Sequence, residues 1–531
     1  MHLRLIAAVG LTMFGPTVLH AQQTAPQAGA APAAAARFDI LAYQVLGNSK
    51  LSTLDIEKVV YPHLGPKRSE EDVENARAAL QSLYDSRGYP TVSVAIPEQD
   101  VATGLVTLQV NEQKIGRLRV NGADYFSPDD IERAAPSLAQ GAVPNFKDVQ
   151  RDIVALNQLP DRRVTPEIKA GTTPNTVDVD LNVEDKLPLH GSLELNNRNS
   201  ANTTDQRLAA SVRYDNLWQR GHSVSLSAQV APQRSSDAQV YSASYLARFG
   251  ASPWSLLGYA VRSKSDIAVV GDLNVIGNGT LAGVRLMRSF AAGEGFYHSL
   301  SVGVDYKDFT ESLIQGADRG AVPIEYFPLS VNYNADWVKE RSVADLALSA
   351  VFNLRGVGDG RAAFDAKRYQ AQPNFFYLRA SGSYTWKSQR DAQLMLRLQS
   401  QFAGEPLISN EQFSIGGLDS VRGYYESESL GDMGAAATLE ARTPSFADSL
   451  GDAFQELRLR AFVDAGYARI NDPLPEQSRS ETLVSAGLGA TIKAFGHLNG
   501  SIDVAHPLSS PGGRERKSDS VEVGVRLWGE F

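Results

Sequence analysis

From Leu187 to Phe531 the chain keeps alternating apolar and polar residues with a period of two, and nothing else in it limits the fold as strongly. In Phe376–Trp386, one parity holds Phe376, Leu378, Ala380, Gly382, Tyr384 and Trp386, and the other holds Tyr377, Arg379, Ser381, Ser383 and Thr385. Leu300, Val302, Val304 and Tyr306 alternate with Ser301, Gly303 and Asp305 in the same way. A half-buried soluble sheet has this period too, but many of these runs reach the ~9–11 residues that a tilted membrane strand needs. All five tryptophans (Trp218, Trp254, Trp337, Trp386 and Trp528) lie in this half, often near strand ends, as an interfacial girdle requires. The last run, Val521, Val523, Val525 and Leu527, ends on the aromatic Phe531, which suits a closing strand that also signals assembly. No stretch past the amino terminus offers the ~20 consecutive apolar residues of a membrane helix. The expected fold class is a transmembrane β-barrel over 187–531; at ~20 residues per strand and connection, about sixteen antiparallel strands fit.

The amino-terminal part reads as four segments. Residues 1–21 have a basic start at Arg4, an apolar centre from Leu5 to Phe14 and a small residue, Ala21, at a cleavage point, the pattern of a signal peptide. Residues 22–37 are an Ala/Pro-rich linker that cannot form a core. Two copies of one unit follow, at 38–113 and 114–186. Val45, Gly47, Ser52, Asp55 and Ile56 recur as Val120, Gly122, Ser127, Asp130 and Ile131, a constant offset of 75. Each copy reads as a strand, a glycine turn, a helix capped by Ser52 or Ser127, a second helix (Glu70–Asp85 or Lys147–Leu159) and two closing strands. Such three-stranded α+β modules leave sheet edges that can take an extended peptide by main-chain hydrogen bonding, or they can serve as spacers.

The chain contains no cysteine, so disulfides, a thiol nucleophile and thiolate metal sites are excluded. The formal net charge of −9 argues against a nucleic-acid partner. No His-Glu-x-x-His and no Gly-x-Ser-x-Gly is present, and His190, His222, His298, His497 and His506 are scattered as loop or girdle residues. An enzyme is therefore not expected, nor is a cofactor or a metal. A simple diffusion porin would not need the two modules.

Two further segments carry more specific information. Leu457, Leu459, Ala461, Val463 and Ala465 form a lipid-facing set, which turns Arg458, Arg460, Phe462, Asp464 and Gly466 toward the lumen. An aspartate on the lipid side would be costly, so the assignment is physically sensible. Glu440 and Arg442 share the lumen parity on the preceding strand. The stretch Phe413-Ser-Ile-Gly416-Gly417-Leu-Asp419-Ser420-Val421-Arg422-Gly423-Tyr424, followed by Gly431-Asp432-Met-Gly434, combines turn glycines with one arginine suited to gripping a carboxylate.

The run Tyr84-Asp-Ser-Arg-Gly88-Tyr89, the Pro97-x-Gln99 step and Gly104 resemble the first polypeptide-transport-associated (POTRA) domain of the two-partner-secretion transporters, also called haemolysin secretion/activation proteins. Val421-Arg422-Gly423-Tyr424 and Phe462-Val-Asp464-Ala-Gly466 resemble the loop and barrel-wall motifs of the outer-membrane assembly-factor superfamily, to which that family belongs. The resemblance runs from about residue 38 to the end and implies sixteen strands. It also implies a loop that folds into the barrel and brings Arg422 to Asp464, with Gly416, Gly417, Asp432 and Glu440 as further loop or lumen candidates. The implied function is an outer-membrane translocator with periplasmic POTRA domains, which exports a dedicated partner; the resemblance leaves open whether it activates that partner as well. The partners expected are an unfolded cargo that becomes a large β-helical protein, outer-membrane lipid and the barrel assembly machinery, with the transporter itself a monomer. The alternative is an assembly factor that inserts other barrels, although such factors lack the Pro97/Gln99 signature. Family members usually carry an amino-terminal plug helix. Here only ~15 residues separate the cleavage point from Phe38, with Pro26 and Pro32 among them, so a long plug helix is not expected.

Overall fold

The structure, a computed structural model, describes residues 37–531 apart from 202, 251, 266, 271–272, 291–292, 294, 316–317 and 512–519. The expected signal peptide, nearly all of the linker and any plug segment lie outside these residues.

The first module contains β1 (Phe38–Ile40), β2 (Ala42–Leu46), α1 (Thr53–Val60), β3 (Gly65–Arg68), α2 (Glu70–Ser86), β4 (Val92–Ala95) and β5 (Leu105–Glu112). Its sheet runs β2-β5-β4, with β2 parallel to β5, and β1 pairs separately with β3. The Ser52 hydroxyl accepts from the Asp55 N–H at 3.2 Å, as a helix start requires. A capping box, Ser69 with Asp72, starts α2, and the Ser69 N–H holds the Asp72 carboxyl below the usual carboxylate range. Val73, Ala76, Leu80 and Tyr84, spaced three and four apart, bury one face of α2, and Val106, Leu108 and Val110 of β5 are buried with them. Pro97 cannot donate to the ladder beyond β4. Instead the Gln99 side chain continues it, donating to Thr107 O at 2.9 Å and accepting from Thr107 N at 2.6 Å. That is the physical content of the Pro-x-Gln step.

The second module repeats the plan with β6 (Lys114–Asn121), α3 (Pro128–Arg133), α4 (Phe146–Leu156), β7 (Arg162–Ala170) and β8 (Thr176–Asp185), in sheet order β6-β8-β7. The second helix stops three residues earlier than expected, because Asn157 leaves it to pair its side chain with the backbone of Val164, at 2.6 and 3.0 Å.

The remaining strands are β9 (Leu189–Asn196), β10 (Arg207–Leu217), β11 (His222–Val230), β12 (Ala238–Arg248), β13 (Trp254–Ser265), a small hairpin β14 (Ile267–Val270) and β15 (Leu273–Ile276), β16 (Gly279–Phe290), β17 (Phe296–Gln315) and β18 (Asp318–Lys339). They continue as β19 (Ser342–Gly358), helix α5 (Arg361–Lys367), β20 (Phe376–Lys387), β21 (Gln393–Ala403), a second small hairpin β22 (Phe413–Ile415) and β23 (Ser429–Gly431), β24 (Met433–Arg442), β25 (Phe454–Arg469), β26 (Ser480–Ala494), β27 (Leu498–Pro507) and β28 (Glu522–Glu530). Outside the two hairpins, sixteen antiparallel strands among the described residues close into a barrel, with β28 paired to β9 over Arg526↔Asn196 to Glu530↔Ser192. The Phe531 main chain continues this seam to Gly191 at 3.1 and 3.2 Å. Its ring lies over Gly191, where a Cβ would stand 2.3 Å from Phe531 Cζ.

The second module joins the barrel at the turn after β10. Gln219 accepts from the Ser127 N–H at 3.0 Å and donates to Tyr125 O at 3.2 Å. His190, expected as a loop or girdle residue, instead lies at this junction, 2.8 Å from Asp161 and 3.5 Å from Asp215. This end is therefore periplasmic, and the long connections after β13, β19 and β21 lie at the opposite, outer end. All five tryptophans fall at the periplasmic end, so they form one girdle at most. Trp528 is not part of a lipid-facing belt, because its parity is inward, beneath the Arg526 guanidinium at 4.5 Å. The β17–β18 hairpin, 20 and 22 residues long, exceeds the membrane span and projects outward.

Candidate functional site

The segment between β21 and β24, residues 404–432, leaves the outer end of the barrel and turns back into the lumen. Its base is the β22–β23 hairpin, paired Phe413↔Gly431 to Ile415↔Ser429. The tip then needs backbone that only glycine adopts without strain. Gly416 and Gly417 have φ of +104° and +99°, and a Cβ on Gly417 would stand 2.3 Å from Glu426 Oε2. The Ser420 hydroxyl closes the turn, accepting from Gly416 N at 2.9 Å and donating to Gly416 O at 3.0 Å.

Arg422 is thereby delivered to the wall, with only 7% of its surface exposed. Its Nε donates to Asp464 Oδ2 at 2.8 Å, its Nη2 to Asp464 Oδ1 at 3.0 Å and its backbone N–H to Oδ2 at 3.1 Å. The third arm of the guanidinium, Nη1, donates to Glu440 Oε2 at 2.7 Å and lies 3.7 Å from Asp503. The guanidinium carbon sits 3.4 Å above the Phe462 ring centroid. Arginine is the one side chain that can do all of this, because its planar fork offers five fixed donors and two faces.

The wall motif divides the work by parity. Phe462 supplies the face under Arg422, Asp464 the paired acceptors, and Gly466 the space that Val421 fills. Val421 is wholly buried with Ile415, Phe413 and Leu483. Gly423, at φ +88°, brings the chain within 3.2 Å of the Ala505 Cβ, measured from where its own Cβ would be. Tyr424 fixes the next wall segment, its hydroxyl lying 2.8 Å from Val484 O and 2.7 Å from Ser509 O.

Of the residues singled out in the sequence, Val421 to Tyr424, Phe462, Asp464, Gly466 and Glu440 meet in one buried cluster, and Gly416 and Gly417 shape the loop that delivers it. Asp432 does not join them. It sits at the loop's base, wholly buried, and accepts from Leu407 N, Gln412 Nε2 and Asn471 N at 2.9, 3.0 and 2.6 Å.

Sequence reasoning turned Arg442 and Arg460 toward the lumen without giving them a role, and it missed Asp503, Arg198 and Ser509. Arg442 and Arg460 brace the carboxylates: Arg442 Nε donates to Glu440 at 2.7 Å, and Arg460 grips Asp503 at 2.7 and 2.8 Å. Arg198, just past β9, holds Glu426 at 2.9 Å and Asp419 at 2.5 Å. Ser509 takes the Tyr424 hydroxyl. Arg442, Arg460 and Asp503 carried a readable signal, their lumen parity, whereas Arg198 and Ser509 carried none.

Comparisons with known proteins place the fold and the family. The family model described as haemolysin secretion/activation protein ShlB/FhaC/HecB matches residues 175–492, and the ShlB-type POTRA domain matches residues 38–113. The outer membrane transporter CdiB of Dickeya dadantii (strain 3937) is 24% identical over 466 residues, 86% of this chain and 80% of that protein. CdiB of Escherichia coli is 24% identical over 496 residues, 89% of this chain and 79% of its own. Among solved structures, CdiB from Escherichia coli superposes with a TM-score of 0.66 at 20% identity, over 96% of this chain and 93% of that one. BamA from Haemophilus ducreyi lacking POTRA domains 1–3 shares the fold at a TM-score of 0.54 and 14% identity, over 93% of this chain and all of its own. The chain belongs to the haemolysin secretion/activation (ShlB/FhaC/HecB) family of outer-membrane two-partner-secretion transporters, with its POTRA domains in the periplasm.

Proposed function

We propose that this transporter receives one dedicated partner in unfolded form on a sheet edge of its first module and passes it through the barrel while the Arg422 loop moves against the wall. The observation that carries the reading is the attachment of Arg422. A loop from the outer end reaches into the lumen and is held there by a buried guanidinium on Asp464, Glu440 and Phe462. A polar, multidentate attachment can be released and remade as a unit, which a fused wall cannot. The deciding experiment expresses the chain with its secreted partner and compares export by wild type and Arg422→Ala, with barrel assembly checked by heat-modifiability in detergent. Full export by the variant would refute a transport role for the cluster.

The receiving edge follows from which edges are already covered. On β4, Gln81 donates to Val92 O at 2.8 Å and accepts from Val94 N at 2.9 Å, and Arg77 reaches Val94 O at 3.3 Å. In the second module β7 carries Pro166, Arg163, Glu167 and Lys169, and β6 carries Arg117 and Arg119, the charge and proline devices that blunt an edge. β2, Ala-Tyr-Gln-Val-Leu, has neither charge nor proline, and among the described residues no strand pairs with its outer side. It is the edge best suited to accept an extended cargo segment. The reading as an assembly factor for other barrels is less well supported, since the family model describes haemolysin secretion/activation proteins and both CdiB relatives are outer membrane transporters.

A further inference from the structure

The outer end of the lumen holds a second inward-folded loop that the motifs do not mention. Between β19 and β20, residues 359–375 carry α5 down into the barrel mouth, where Phe364 and Phe375 are buried against Tyr326 and Tyr377 of the wall. The Phe364 ring meets Tyr326 edge-on at 5.8 Å and lies 6.2 Å from Phe375. Tyr326 and Tyr377 have inward parity, yet they bury apolar surface: this part of the lumen is packed as a core.

Arg368, which follows α5, ties this loop to the one that carries Arg422. Both of its terminal nitrogens bond the Asp432 carboxylate, Nη2 at 2.9 Å; Nη1 also donates to Leu407 O at 2.6 Å and Nη2 to Asn471 O at 2.9 Å. Leu407 and Asp432 flank the two ends of the motif loop, and Asp432 is wholly buried. One arginine therefore fastens the base of that loop, while Arg422 fastens its tip. Lys367 Nζ further ties the α5 segment to Val322 O at 3.1 Å.

We propose that the 359–375 segment is an outer cap on the passage and that Arg368 is a positioning residue, holding the motif loop inward until cap and loop are released together. The buried wall aromatics give the cap its seat, and the Arg368–Asp432 pair couples it to the motif loop. Release returns the Arg368–Asp432 pair to water, but it also uncovers Phe364 and Phe375, so the approaching cargo must take over that apolar surface. This rests on the transport reading above.

The chain has no native cysteine, so a tether can be placed without background. Val322→Cys with Lys367→Cys, joined by a short reducible bis-thiol reagent in cells expressing the secreted partner, is expected to lower export at least tenfold and to recover when the linker is reduced. Each single variant should export equally well with and without the reagent. Export at the untethered rate by a fully cross-linked population would overturn the cap. Arg368→Ala is expected to keep heat-modifiability while raising single-channel conductance severalfold, with Arg368→Lys intermediate; unchanged conductance in Arg368→Ala would overturn the positioning role. Arg422→Ala run in parallel separates the two ideas. If it exports normally, the transport reading fails; if it does not but the tether is harmless, only the cap fails.

Discussion

Gly466 on the barrel wall leaves the room that Val421 of the inward loop fills: a Cβ at Gly466 would stand 2.8 Å from Val421 Cγ2 and 3.2 Å from Ile415. The position two residues before it on the same strand, Asp464, takes the arginine next to Val421. The wall motif is thus a socket whose steric and ionic halves are set by one strand's pleat.

Filling the socket should disengage the loop without removing a charge. Gly466→Val is expected to cost about 1–3 kcal/mol of overpacking at the loop contact and to reduce export, while the barrel still reaches the membrane. Normal export by an assembled Gly466→Val protein would show that close seating of Val421 is unnecessary.

The ionic half can be tested by reversal. Removing one partner of a buried pair costs roughly 3–5 kcal/mol, so Arg422→Ala and Asp464→Ala should each severely reduce export. Arg422→Lys should rescue only in part, since an ammonium cannot span Asp464 and Glu440 while stacking on Phe462. Arg422→Asp combined with Asp464→Arg should recover some activity lost in both singles. Strictly additive losses, read from the amount of secreted partner, would mean that the contact is not what matters.

Phe531, seated on Gly191 at the seam between β28 and β9, is expected to act on assembly rather than on transport. Deleting Phe531, or replacing Gly191 by Leu so that the ring loses its seat, should lower the amount of protein in the outer membrane. Export per assembled molecule should stay unchanged. Immunoblots of outer-membrane fractions normalised to secreted partner would separate the two, and equal abundance would count against the idea.

Charging the open edge is expected to block capture. Gln44→Lys with Leu46→Lys places two cations on β2 at exposed positions, so the module should keep its fold and export should fall. The equivalent pair on β7, already charged, serves as the control. Unimpaired export by the β2 variant would move the docking site elsewhere.

Period-two parity was enough to turn Asp464, Glu440 and Phe462 inward, because the pleat leaves no freedom once the lipid face is known. It could not show which loop enters the barrel, because a loop's path depends on long-range packing; Arg422 was placed only by resemblance. Arg198 and Arg368 lie in connections without periodicity, so they carried no signal. Ile324 and Tyr326 did carry one: buried apolar residues on the inward parity break the polar-inside rule, and they mark where the outer mouth is packed as a core. Trp528 shows the opposite failure, since an aromatic near a strand end was read as lipid-facing when its parity points inward.

The cluster around Arg422 brings three guanidinium groups, Arg422, Arg442 and Arg460, to three carboxylates, Glu440, Asp464 and Asp503. Two of those cations belong to the wall and one to the loop. Withdrawing the loop therefore leaves one carboxylate in excess among Glu440, Asp464 and Asp503, and it strands Arg198 as well, whose partners Asp419 and Glu426 depart with the loop. The opened passage thus carries a negative and a positive patch side by side rather than a charge of one sign.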